Sequence, residues 1–315
     1  MSSVIKVLLD DPKNTEGRQE GPPPEWMASS IQYETLMGSK AYGTATEYSD
    51  SDVYSWCIPP RELVFPFLNG NIPLFDEAEK PWGGYQLHKI KTQENEWDIN
   101  CYSVAKFFGL ARQGNPNIID SLWVDEDDVL YMTEVGEMVF RQPTMFISKR
   151  VFHRYSNYAI REHEVVLKWL AADQNGETRE ASDKKPRKAA YHAVRLLLQM
   201  KQLMKNGIME LKQDSDVLKS IRQGENLFDV SQRIHTLKEE AQVSYSKSRI
   251  QDVVDDTAIR NLLLAVIETQ YGTLPTSAAS VQDLDGLNRL ASYLDRATNE
   301  LKALRVQGDG DVSPS

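Results

Sequence analysis

Between residues 38 and 52 the chain reads Gly-Ser-Lys-Ala-Tyr-Gly-Thr-Ala-Thr-Glu-Tyr-Ser-Asp-Ser-Asp. Two parts of this stretch carry groups that could do chemistry together. Asp50 and Asp52 stand just before Val53-Tyr54-Ser55-Trp56-Cys57-Ile58, whose β-branched and aromatic content predicts a strand. Alternate strand residues point to one face, so the two carboxylates project side by side. No Lys or Arg flanks them in sequence, and a hard divalent cation, Mg²⁺ or Mn²⁺, is the natural partner of such an oxygen pair. Ahead of them, Gly38-Ser39 follows the apolar pair Leu36-Met37. Glycine permits a positive φ or a close backbone approach, and a turn with free N–H groups and a hydroxyl can hold a phosphate. A phosphate cradle beside a metal-binding carboxylate pair describes a site for a nucleoside triphosphate (NTP) carried with Mg²⁺. Ser-Asp-Ser-Asp is also a common polar turn. Half a calcium loop is a poorer reading, since no Gly stands at its sixth position and no Glu at its twelfth.

A two-metal phosphoryl transfer needs more oxygen ligands than one pair supplies. Asp98, in the predicted strand Glu96-Trp97-Asp98-Ile99-Asn100 and just before a helix, is the best third carboxylate; Asp76, Glu94 and Glu96 compete from loop-like contexts. A second cluster lies in the C-terminal half. Lys188, His192 and Arg195 are spaced i, i+4, i+7 and share one side of a predicted helix. They flank an apolar stripe of Ala193, Leu196, Leu197 and Met200. As functional groups, Lys188 and Arg195 would neutralise triphosphate charge and His192 would hydrogen-bond a phosphate or base. The trio equally fits an ordinary solvated basic edge.

The 38–52 stretch resembles the signature of nucleotidyltransferases of the DNA polymerase β superfamily, a Gly-Ser step followed at a distance by Asp-x-Asp. Gly43 and Ser49 match the variant of the minimal and RNA-repair-associated (RNA ligase-associated) nucleotidyltransferases, which is the closest resemblance. Asp98, then Lys106-Phe107-Phe108, Gly114-Asn115-Pro116 and Leu122-Trp123, is similar to the stretch that follows in that family. The helix from Arg187 to Leu197 looks like its second-domain helix, so the resemblance spans roughly residues 31–210. Lys40 departs from it, because related sequences often carry Arg there, and a lysine holds phosphate as a point charge rather than a fork. The resemblance implies that Asp50, Asp52 and Asp98 bind the metals and catalyse, that Gly38, Ser39 and Lys40 bind nucleotide, and that RNA or tRNA ends are acceptors.

These residues need elements to position them. Tyr33–Met37, Val53–Ile58 and the alternating Gly84–Lys91 read as strands. Ser103 can cap a helix reaching about Arg112. Asp125-Glu126-Asp127-Asp128 reads as a solvated loop. After about residue 136 the pattern turns helical, with helices expected over 149–172, 187–206, 226–241, 249–271 and 280–305. Residues 1–27 read as an N-terminal tail with at most one weak edge strand at Val4–Leu9, and 59–84 as a long loop with local structure around Leu63–Phe67. The expected organisation is an α+β polymerase β-like nucleotidyltransferase core, a mixed sheet with flanking helices, over 28–136. A helical domain over 137–305 and a disordered tail over 306–315 follow.

Composition limits the partners. With 41% hydrophobic and 26% charged residues the chain is globular. A net charge of −10 argues against strong nonspecific duplex binding, but not against a small site for an RNA end. Cys57 and Cys101 are the two cysteines, set among apolar residues with no metal or disulfide spacing. No apolar run reaches the roughly 18 residues of a membrane span, and no signal-peptide core precedes the fold, so the expected compartment is the cytoplasm. His163-Glu164 lacks the second His of a zinc-protease helix, and Gly38-Ser39-Lys40 lacks the spacing of a P-loop. The expected activity is transfer of NMP from a metal-bound NTP to a hydroxyl, with pyrophosphate released. A transferase acting on protein or small molecules, or a non-catalytic nucleotide-binding protein retaining the fold, are the alternatives.

Overall fold

The computed structural model describes residues 3–14, 21–65, 82–92, 95–175, 183–272, 292–296 and 298. Five strands make one mixed sheet: β1 (Ile31–Met37), β2 (Ser51–Cys57), β3 (Gly84–Lys91), β4 (Glu96–Ser103) and β5 (Val129–Met132). Their spatial order is β3-β4-β2-β1-β5. β2 and β4 run parallel, while β1 pairs antiparallel with β2 and β5, and β3 antiparallel with β4. The central position of β2 explains its run of buried Val53, Ser55, Trp56 and Cys57, because a strand covered on both faces loses simple alternation.

The helices in chain order are α1 (Val4–Leu9), α2 (Gly38–Ala41), α3 (Arg61–Val64), α4 (Val104–Arg112), α5 (Pro116–Asp120), α6 (Glu134–Phe140), α7 (Lys149–Gln174), α8 (Lys184–Asn206), α9 (Ser215–Gln223), α10 (Leu227–Lys247) and α11 (Asp256–Tyr271). One face of the sheet packs Val53, Leu87, Ile90 and Ile99 against Ile5 and Leu8 of α1. On the other side Trp56 meets Phe107 of α4 at 5.8 Å between rings, and Tyr33 meets Phe140 of α6 at 5.5 Å. Ser103 caps α4, accepting from the Lys106 N–H. α8 ends where Gly207 takes φ +73°, as a left-handed C-terminal glycine does. It packs against both α7 and α10.

Several elements differ from the sequence reading, and the helix expected from 249 begins at Asp256. Val4–Leu9 is a helix of the core rather than an edge strand in a tail. Ile5 and Leu8 sit i, i+3 on its buried side, and the buried Glu34 of β1 accepts from the Val4 N–H at 2.8 Å and from the Ser3 hydroxyl. β5 follows directly on the acidic run, and four residues are too few to display a period. α9 was not anticipated either. Within the loop expected over 59–84, α3 supplies local structure at Arg61–Val64, and residues 66–81, Asp76 among them, lie outside the described residues. So do Glu94, most of the helix expected over 280–305, and the tail over 306–315.

Met1–Pro59 and Trp82–Leu263 form one compact unit, and Pro60–Pro81 with Leu264–Ser315 form another. The first contains the sheet together with α7, α8 and α10, so the change from strand to helix near residue 136 falls inside a unit. Within the second, the Phe65 and Tyr271 rings lie 6.4 Å apart. Among the described residues no helix is long and apolar enough to cross a membrane.

Candidate functional site

Met37, the last residue of β1, pairs with Asp52 of β2. The chain then turns at Gly38, whose φ is +60°. A Cβ at this position would collide with the Asp52 carboxylate, so both the dihedral and the contact demand glycine. The turn delivers Ser39 into the cleft wall with its Oγ buried and without a hydrogen-bond partner. A buried hydroxyl without a protein partner is uncommon and leaves Ser39 Oγ free to bond a group in the cleft.

Parallel pairing puts Asp52 directly opposite Asp98, and both line one cleft with the exposed Asp50. Burial first, then the charges of Asp50 and Asp98, push the Asp52 carboxyl up to about 6, with Lys188 and His88 opposing. Asp98 is engaged from the neighbouring strand. β3 bulges between Leu87 and Ile90, with Lys89 at φ +56°. The Lys89 N–H donates to Asp98 Oδ1 at 2.7 Å, and His88 Nδ1 lies 3.4 Å from Oδ2. Among the described residues no three His, Cys, Asp or Glu side chains converge on one point. The three aspartates share the cleft, with Asp98 turned toward β3. An all-oxygen set whose charges crowd Asp52 suits a hard divalent cation better than a soft one.

α8 supplies the facing wall of a cleft of about 520 Å³, to which Lys188, His192 and Arg195 all contribute. Their environments differ. Lys188 is exposed, and its charge reaches Asp52. His192 is held down to about 3 by burial and by Arg195, Lys188 and Arg222, so its imidazole stays neutral, and its buried Nδ1 has no partner. Arg195 is only 3% exposed. Its guanidinium donates to the fully buried Asp120 at 2.9 Å and lies 4.1 Å above the Tyr42 ring. The same carboxylate accepts from the hydroxyls of Tyr42 and Tyr155. Arg195 is thus a buried tie between α8 and α5 whose charge is already matched, in contrast to the free phosphate-neutralising cation that its helical spacing suggests. Lys40 is not part of the cleft wall: its ammonium donates to Ser51 Oγ at 2.6 Å and lies 5.7 Å from the Trp97 ring centre.

Sequence reasoning missed Arg187 and Arg222, which also line the cleft. Arg222 of α9 donates to the Thr44 carbonyl at 3.0 Å, and Arg187 to the carbonyls of Ile221 and Glu225. Together they fasten α9 to α8 and to the loop after α2. The Arg195–Asp120 pair spans 75 positions, and no local pattern marks it.

A family profile described as the RNA repair pathway DNA polymerase beta family matches residues 6–291. No curated protein matches the sequence. Among solved structures, a nucleotidyltransferase-like protein from Exiguobacterium sibiricum is similar at 10% identity, with 76% of this chain and 74% of that chain covered and a TM-score of 0.26.

Proposed function

The chain belongs to the RNA repair pathway DNA polymerase β family, and from that premise we propose that it transfers NMP from a Mg²⁺- or Mn²⁺-bound NTP to a hydroxyl, an RNA or tRNA end being the favoured acceptor. The observation that carries this reading is the side-by-side placement of Asp52 and Asp98 on parallel strands, with Gly38 against the Asp52 carboxylate and Ser39 beside it. Asp50, Asp52 and Asp98 would hold the metals. Divalent cations bound there would neutralise triphosphate charge and make the acceptor hydroxyl easier to deprotonate.

The chain's own groups account for the rest. The Gly38-Ser39 turn holds the β- and γ-phosphates through its N–H groups and the unpartnered hydroxyl. Lys188, across the cleft, balances phosphate charge. Asp52 and Asp98 align the acceptor hydroxyl and help take its proton. The acceptor oxygen forms a bond to the α-phosphorus as the bond to the bridging oxygen of the β-phosphate breaks, and pyrophosphate leaves with that electron pair.

Incubating the protein with α-labelled NTP and Mg²⁺, with total RNA and total protein as separate acceptor pools, tests this. Label in the RNA pool supports the reading. Label in protein redirects the acceptor, and nucleotide binding without pyrophosphate release makes the protein a non-catalytic nucleotide binder.

A further inference from the structure

Beside the cleft lies a second, smaller cavity of about 170 Å³, lined by Gln113, Asn115, Asn157, Tyr158, Arg154 and Arg161. Tyr158 lines both cavities, so the two adjoin at that residue. Arg154, Tyr158 and Arg161 are spaced i, i+4, i+7 on α7 and share one side of it. Both guanidiniums are exposed, and among the described residues neither has an ion-pair or hydrogen-bond partner. The chain carries a net charge of −10, and while Arg112, Arg141, Arg187, Arg195 and Arg233 are each matched to a carboxylate, Arg154 and Arg161 are among the exposed arginines left open to an added anion. The groove otherwise offers side-chain amides, and no carboxylate lines it.

We propose that this groove is the acceptor track: a single-stranded polynucleotide lays two successive phosphates on Arg154 and Arg161 and stacks a base on Tyr158 as its end enters the cleft. Arginine forks suit phosphate oxygens, and aromatic faces accept any base. Two guanidiniums in a narrow groove fit one strand rather than a duplex, in keeping with the acidic balance of the whole chain. The inference rests on the acceptor reading above and adds the surface that would hold that acceptor.

The test measures binding of a short fluorescent single-stranded RNA to the full chain at several salt concentrations, with Mg²⁺-NTP binding read in parallel. Arg154→Ala with Arg161→Ala should weaken RNA binding about tenfold or more and lower the salt slope by about 1.4, the value for two lost contacts to a single strand. Mg²⁺-NTP affinity should stay unchanged. Both side chains are exposed, so the fold should persist, and Arg154→Gln with Arg161→Gln must give the same loss. RNA binding with an unaltered salt slope in either pair would overturn the assignment, as would a wild-type protein that binds an acidic peptide but no RNA. Binding is read without turnover, so failure to transfer NMP would fault the catalytic reading and leave this one standing, and the converse also holds.

Discussion

Asp52→Asn should make the metal-free protein more stable while removing its activity. Burial first, and then the charges of Asp50 and Asp98, push the carboxyl from 3.8 to about 6. A difference of that size corresponds to about 3 kcal/mol between the charged and neutral forms, and screening of a partly exposed group reduces it to about 1–2 kcal/mol. The sign follows from proton linkage. A carboxyl with a raised native pKa binds its proton more tightly folded than unfolded, so its contribution to stability falls as pH rises from about 4 through about 6. Asparagine keeps the shape and removes the charge. The variant should therefore match wild type near pH 4 and melt a few degrees higher at pH 7.5 without metal. Turnover should fall at least ~10²-fold, as on losing one preorganised electrostatic group. Thermal melts across pH, with and without Mg²⁺-NTP, together with a single-turnover transfer assay, provide the check. A lower melting temperature at pH 7.5, or wild-type turnover, would refute the view that Asp52 is held buried beside two further carboxylates, at a cost in stability, for a cation.

Gly38→Ala should lose activity and stability together, because its Cβ meets the Asp52 carboxylate at a positive φ; a melt and a transfer assay suffice. Arg195→Ala should cost about 3–5 kcal/mol in chemical denaturation, the range for stranding a buried partner such as Asp120, before any effect on nucleotide. Lys188→Ala should instead weaken NTP affinity at unchanged stability, more at low salt than at high, as nucleotide titrations at two ionic strengths would read. EDTA should stop turnover, with Mg²⁺ or Mn²⁺ restoring it.

The candidate site is legible in the sequence to the extent that it is local. Gly38-Ser39 and Asp50-x-Asp52 stand out because one turn holds the first pair and the second sits at the head of one strand, Asp50 just ahead of it, and Asp98 because a strand leads straight into a capped helix. α8 shows its apolar stripe over many turns, so its extent and its glycine stop are readable. What escapes depends on distance. Asp120 and Arg195 are far apart in the chain, and nothing near either shows that one neutralises the other. Hence Arg195 reads as a free cleft cation when its charge is tied to Asp120, and Lys40, next to the Gly38-Ser39 turn in sequence, is drawn off to Ser51 and Trp97. α1 misled for another reason: Ile5 and Leu8 are too few to distinguish helix from strand until Glu34 and the sheet face are in place.

The most direct measurement compares two labels on the same nucleotide. With Mg²⁺ and an RNA acceptor, label at the α-phosphate should become attached to RNA, while label at the γ-phosphate should appear only in pyrophosphate, and Asp52→Asn and Asp98→Asn should abolish both. Transfer of the γ-label to the acceptor, or nucleotide binding with neither label moved, would contradict nucleotidyl transfer at Asp52 and Asp98.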